Sequence, residues 1–327
     1  MKYNFSKEVE NQLKTFESHL KRKGYNPNTI RQKRNYAGCF LTWLENERLP
    51  AGEARYNDML VFIDYCNLES FGKKHINTVL LSIRNYYGYL KTTDESITNP
   101  AINLYIKGVV KKIPSSGTNY RELETLYQNC RAETLRDKRN KAILGLLVYQ
   151  GITTEELRQL EPGHLKLKEG KIYIPGSRKR NSRILELKPS QILELHGYIT
   201  ETRPEILNGI TAPKPARKPD RINKTKLENQ LFISTNGSEN LKSSLLHMFS
   251  GIVKENPHVG SAKAIRASVI TYWLKSHNLR QVQYMAGHKY VSSTERYQAN
   301  NLEDLKKGLE KYHPLNQLEI TNCDIQF

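Results

Sequence analysis

Lys263, Arg266, His288 and Tyr297 stand in one stretch near the carboxyl end, GSAKAIRASVITYWLKSHNLRQVQYMAGHKYVSSTERY. Two cations, an imidazole and a phenol in that order suit chemistry at a phosphodiester. Lys263 and Arg266 are three residues apart in a helical pattern that begins after Gly260-Ser261, so their side chains project from one face and both can reach one phosphate. Ile265, Val269, Tyr272 and Trp273 are spaced to pin that helix to a core. A second short amphipathic pattern, with Val282 and Met285, stops at Gly287, and His288 follows at once. Ser292-Ser293-Thr294-Glu295 reads as a capping box, which puts Tyr297 in the second turn of the helix it starts. Basic pairs at helical spacing are common on solvated faces, so it is the combination with His288 and Tyr297 that points to chemistry.

This combination resembles the tyrosine recombinases, the phage-integrase family. Their carboxyl-terminal signature is a His-x-x-Arg helix, then Gly-His, then a Thr-x-x-Tyr that carries the nucleophile. Here those places hold Lys263-Ala264-Ile265-Arg266, Gly287-His288 and Thr294-Glu295-Arg296-Tyr297. A lone tyrosine would mean little among 19, but the whole pattern is specific. The resemblance implies that Tyr297 attacks the phosphorus to give a 3′-phosphotyrosyl link and a free 5′ hydroxyl. It also implies that Arg266 holds the non-bridging oxygens and that His288 positions the phosphate or assists the tyrosine. Lys263 stands where the family has histidine; it offers charge and a hydrogen bond but makes a poorer base than imidazole.

The family's Thr-Gly-Leu-Arg-x-x-Glu-Leu stretch corresponds to the segment from Gln150 to Leu157, in which Gly151, Glu156 and Leu157 match and Thr153 replaces the first catalytic arginine. A threonine hydroxyl does not replace a delocalised cation. Arg158, Arg178 and Arg180 are the candidates to move in, and some conjugative-transposon integrases lack this arginine and still recombine. The family places a lysine on a hairpin, directed at the leaving 5′ oxygen; Lys179 is the expected residue, with Arg178 and Arg180 as alternatives.

Composition agrees with a polyanionic partner. The 327-residue chain carries 51 Lys and Arg against 33 Asp and Glu, a net charge of +18, which points to nucleic acid, here double-stranded DNA. No apolar run approaches a membrane span and no secretory signal opens the chain, so a cytoplasmic location and no membrane partner are expected. The four cysteines are scattered without a Cys-x-x-Cys pair, against a zinc site or a disulfide framework. No Walker loop or Gly-x-Gly-x-x-Gly is present, so neither metal nor cofactor is expected.

The elements that must position the site divide into two domains. Residues 1–108 read as four helices: a period on Val9, Leu13, Phe16 and Leu20; a helix capped by Asn28 or Thr29 through Leu44; and patterns over Asn57 to Tyr65 and Lys74 to Leu90. This matches the family's core-binding domain, a SAM-like four-helix unit, and Lys33, Arg34, Lys73, Lys74 and Arg84 are its candidate DNA contacts. The tyrosines of Tyr86-Tyr87-Gly88-Tyr89 are expected in the core rather than stacked on bases. Residues 109–119 form a linker, and 120–327 the catalytic domain, with a tail from about 299. Within it the apolar run from Ala142 to Tyr149 reads as a buried helix, the segments Gly170 to Pro175 and Ser182 to Leu187 as two strands, Pro204 to Lys226 as an exposed loop, and Leu231 to Ser234 as a strand. The fold class is therefore mainly α with a small antiparallel sheet. In the tail, Leu302, Leu305 and Leu309 form an apolar stripe, which in the family docks on a neighbouring subunit of a homotetramer on DNA and otherwise packs on its own domain.

An active recombinase or integrase is the leading expectation. A relative that binds DNA without cutting it and a nicking-closing enzyme of the type IB topoisomerase kind are the alternatives.

Overall fold

The computed structural model describes residues 4–109, 118–211 and 224–298. The chain parts into two compact units, Met1–Lys111 and Lys112–Phe327. As expected, the fold is mainly helical with one small antiparallel sheet. The expected linker lies largely outside the described residues, and the tail from 299 wholly so.

The first unit holds α1 (Lys7–Arg22), α2 (Pro27–Asn46), α3 (Tyr56–Leu68) and α4 (Lys73–Leu90). The side chain of Ser6 accepts the Val9 N–H at 3.2 Å and fixes the start of α1, whose stripe Val9, Leu13, Phe16 and Leu20 is buried. α2 begins earlier than Asn28 or Thr29 suggests, because Asn26 caps it and Pro27 fills a first-turn position that needs no N–H donor. Tyr86 and Tyr87 are core residues: Phe16 meets Tyr86 edge-on at 5.3 Å, and their hydroxyls donate to Gln12 and to the Ala51 carbonyl. Burial follows from such ring packing and satisfied hydroxyls.

Of the basic residues expected to meet DNA, Lys73 and Lys74 are exposed at the start of α4. Arg84 is half-buried and reaches the Ile102 carbonyl. The other two are engaged within the unit. Lys33 is 8% exposed with its ammonium over the Tyr25 ring, an apolar stem drawn into the core. Arg34 is held between the Glu10 and Glu17 carboxylates at 2.5 and 3.4 Å.

The second unit is built on α6 (Leu135–Gln150), which Thr134 and Asp137 start with a capping box and whose run Ala142 to Val148 is buried. Around it lie α5 (Tyr120–Gln128), α7 (Thr154–Arg158), α8 (Pro189–Gly197), α9 (Arg203–Thr211), α10 (Lys224–Asn229), α11 (Lys242–Glu255), α12 (Ala262–Ser276), α13 (Leu279–Ala286) and a last helix over 292–298. The sheet runs β1 (Leu165–Lys166), β2 (Lys171–Ile174), β3 (Arg183–Glu186), all antiparallel, with Ile172 opposite Leu185 and Ile174 opposite Arg183. β1 has only two residues, too few to leave an alternation in the sequence.

Three expectations are corrected. Residues 204–211 are helical rather than a loop: a π-helical turn at Tyr198–Thr202 absorbs the break that Pro204 would impose, and Ile206 and Ile210 are buried. The far end of that insert is helical too, and the Arg203 guanidinium ties it back through the carbonyls of Leu227, Glu228 and Gln230. Residues 212–223 lie outside the described residues. Leu231 to Ser234 is buried but is no strand, because its backbone finds the Leu160 carbonyl and the Tyr198 hydroxyl instead of a ladder partner. Tyr272 is exposed rather than core, stacked on Tyr120 at 3.9 Å.

Candidate active site

Arg266 is the centre of the second unit's polar cluster. Ser261 caps α12, accepting the Ala264 N–H at 3.3 Å, and Ile265, Val269 and Trp273 seat the helix, leaving Arg266 only 4% exposed. Its guanidinium donates to the Gly151 carbonyl and, at 2.7 Å, to the Ala286 carbonyl. These are the carboxyl ends of α6 and α13, where the helix dipoles are negative, so a buried cation is compensated there. Both ends close on glycine in the left-handed region, Gly151 at φ 55° and Gly287 at φ 65°. A Cβ on Gly151 would press on Val269 and Trp273 at 3.1–3.2 Å, and one on Gly287 would fall 2.3 Å from the Arg183 guanidinium.

His288 follows Gly287 and is held from both ring nitrogens. Nε2 lies 3.1 Å from the Arg266 guanidinium and Nδ1 2.8 Å from the Thr294 hydroxyl. Arg266 has only donors, so Nε2 accepts, and the proton of the neutral ring sits on Nδ1 and is donated to Thr294. Burial first, then the charges of Arg266, Arg180 and Arg183, push His288 down to about 3. Tyr297, in the second turn of the helix over 292–298, is half-buried and its ring lies parallel to the imidazole, 6.0 Å between centroids. Thr294, 0% exposed, locks that helix to His288. The first turn bonds to the Val291 carbonyl, through Thr294 N–H at 2.7 Å and Glu295 N–H at 3.1 Å, in place of the expected Ser292 cap.

Lys263 lies one turn before Arg266 on α12 and is exposed. Lys179 and Arg178 are exposed at the tip of a tight turn that Ser177 and Arg180 close by paired backbone bonds of 2.8 and 3.2 Å. That hairpin is pinned to the histidine segment: Arg180 bridges His288, and the Asn181 N–H donates to the Gly287 carbonyl at 3.0 Å. Arg180 is thereby brought to the cluster, its Nε 3.9 Å from the Glu156 carboxylate. Arg158 is not; it pairs with exposed Glu155 on its own helix.

Thr153 does something else with its position. It caps α7, its backbone N–H and hydroxyl both donating to the Glu156 carboxylate at 2.8 Å, while the Glu156 N–H donates back to the hydroxyl. The other Glu156 oxygen accepts from Arg183 at 2.7 Å, and both side chains are sealed, at 2% and 0% exposure. Burial works to raise the Glu156 carboxyl, but the Arg183 hydrogen bond and charge, the Thr153 N–H and the charge of Arg266 outweigh it and hold it at about 2. Each partner leaves a signal in the sequence. Thr153-x-x-Glu156 is a capping signature, and Arg183 falls on the inward side of β3, where an arginine requires an acid.

Glu156 and His288 give the fold a direction of pH dependence. Their ordinary values are 4.5 and 6.5, both above the folded ones, so the unfolded chain binds these protons more readily. Their stability is complete above about pH 6.5 and is lost on acidification, the His288 share from 6.5 towards 3 and the Glu156 share from 4.5 towards 2. Urea midpoints are expected to fall from pH 7.5 to 4, and His288→Gln to flatten the upper part of that curve.

Comparison with known proteins gives the cluster a setting. The phage integrase family matches residues 118–304, more than half of the 327. The tyrosine recombinase XerC of Oceanobacillus iheyensis is 23% identical over 315 residues, covering 94% of this chain and 97% of that protein. The tyrosine recombinase XerD of Listeria innocua is 24% identical over 302 residues, covering 89% and 94%. Among solved structures, the XerH site-specific recombinase bound to a palindromic difH substrate, a post-cleavage complex, is similar with a TM-score of 0.65 at 17% identity, over 85% of this chain and 78% of that one. The Tn1549 transposon integrase in complex with transposon right end DNA has a TM-score of 0.60 at 15% identity, over 92% and 99%. At these identities the solved structures speak for the fold.

Proposed function

The chain belongs to the phage integrase family, and on that footing we propose that it is a site-specific DNA recombinase that cuts and rejoins duplex DNA through a 3′-phosphotyrosyl bond to Tyr297. The observation that supports this most is the contact chain Tyr297, His288, Arg266: a phenol set against an imidazole whose far nitrogen meets a buried guanidinium. The XerC and XerD relatives are tyrosine recombinases, and solved proteins of its fold are held on DNA.

In the proposed reaction a phosphate enters between Arg266 and Tyr297. Arg266 neutralises the non-bridging oxygens as charge builds on them. Tyr297 gives up its phenolic proton to solvent as its oxygen bonds to phosphorus, the bond from phosphorus to the 5′ oxygen breaks, and the departing oxygen takes a proton from the exposed cations of the hairpin, Lys179 foremost. Lys263 adds charge at the rim. Both His288 nitrogens are engaged, which favours a positioning role over that of base for the tyrosine proton. The phosphotyrosyl link conserves the energy of the broken bond, so the 5′ hydroxyl of a second strand reverses the step without ATP.

Double-stranded DNA is the partner in this reading. Assembly into a homotetramer through the stripe Leu302, Leu305 and Leu309, and a cytoplasmic location, are parts of the proposal. One observation favours the alternative of a binding-only relative: Thr153 is tied up as a helix cap and brings no charge. The deciding experiment mixes the protein with nicked duplexes tiled across the boundaries of the DNA that carries its gene, in EDTA and without ATP, and looks for a covalent adduct on a denaturing gel. An adduct is expected. Binding without an adduct on every duplex would contradict the enzyme reading.

A further inference from the structure

From this geometry we infer that Arg180 supplies the positive charge that Thr153 cannot, and that it contacts the same phosphate as Arg266. The inference rests on the recombinase reading above.

Position 153 faces Glu156, as the capping bonds show. The cations that meet this same carboxylate are Arg183 and Arg180. They differ in what they have left to offer. Arg183 is sealed at 0% exposure with one nitrogen on Glu156 and its guanidinium packed under Gly287, so it holds Glu156 in place and has no open side for a substrate. Arg180 keeps 27% of its side chain exposed and its Nε stands 3.9 Å from the carboxylate, outside hydrogen-bond reach, so this pairing does not seal it from a substrate.

Arg180 is also held where it must be. Its backbone pairs with Ser177 within the turn and bridges His288 across to the Tyr297 segment, and the neighbouring Asn181 N–H is fixed on the Gly287 carbonyl. The guanidinium therefore starts from a rigid base beside the imidazole that touches Arg266. Among charged groups it is Arg180 that weighs most on Arg266, lowering its pKa after burial has done so. Two cations this close repel one another, and a phosphate dianion-like transition state between them relieves that repulsion. Arg158 turns to Glu155 instead, and Arg178 stands at the open tip of the turn.

The test uses the full chain and the nicked duplex on which the parent forms its adduct. Arg180→Ala is expected to slow adduct formation by about 10²–10³, while thermal melting and DNA affinity stay close to the parent, and Arg180→Lys is expected to recover part of the rate. A second substrate carries a neutral methylphosphonate at the cleaved position. On it the Arg180→Ala defect is expected to shrink to a few-fold, because the charge it answered is gone. A defect of equal size on both substrates would mean that Arg180 merely shapes the hairpin, and would overturn the inference. So would an Arg180→Ala protein as fast as the parent, an outcome that leaves the recombinase reading standing. A parent that forms no adduct removes both.

Discussion

Tyr297→Phe is expected to bind DNA as the parent does and to form no covalent adduct. The ring that lies against His288 is kept, so packing in the second unit is preserved and stability should change by less than about 1 kcal/mol. What is lost is the phenolic oxygen proposed to attack phosphorus. Removing a nucleophile costs on the order of 10⁴-fold or more, which in a gel assay is background. The check is a pair of measurements on one preparation: a gel shift for affinity and a denaturing gel for the adduct. Adduct at an appreciable fraction of the parent's rate would move the chemistry to another residue.

Glu156→Ala is expected to have the largest effect on the fold. Glu156 accepts from Arg183, from the Thr153 N–H and from the Thr153 hydroxyl, all within 2.8 Å and all out of water. Removing one partner of a buried pair leaves the other charged without compensation, here beside Arg266, and costs roughly 3–5 kcal/mol. For a unit of this size that lowers the melting temperature by roughly 6–20 °C. The double variant Glu156→Leu with Arg183→Leu should recover much of the loss, since a buried pair replaced by apolar side chains is often near neutral. If Glu156→Ala melts with the parent, the pair is not a prop of the site and the orientation of α7 has another cause.

Much of this architecture is written locally. The stripes of α1 and α12, the stop at Gly287 and the turn at 177–180 depend on neighbours within a few residues, and the sequence displays them. The order Arg266, His288, Tyr297 is legible in one short stretch, and these three are brought together. What escaped depends on partners far along the chain. Arg183 looks like a misplaced charge on β3 until Glu156 is set against it, 27 residues away. Lys33 reads as a surface cation because nothing local says that Tyr25 and the core will take its stem. Leu231 to Ser234 has a strand's composition, but the hydroxyl of Tyr198 meets its backbone. Pro204 signals a break that the π-helical turn before it absorbs. Thr153 stands where the family has an arginine, and the cap it makes instead is the one that Thr153-x-x-Glu156 spells.

The recombinase reading stands or falls on whether the Tyr297 oxygen becomes bonded to DNA, which tryptic mapping of the adduct measures. Cleavage after Lys289, Arg296 and Lys306 separates Tyr297 from Tyr290, the 72%-exposed tyrosine nearest to it in sequence. The nucleotide is expected on the peptide of residues 297–306, which holds one tyrosine. A nucleotide on the peptide of residues 290–296, or on any other tyrosine, would contradict it.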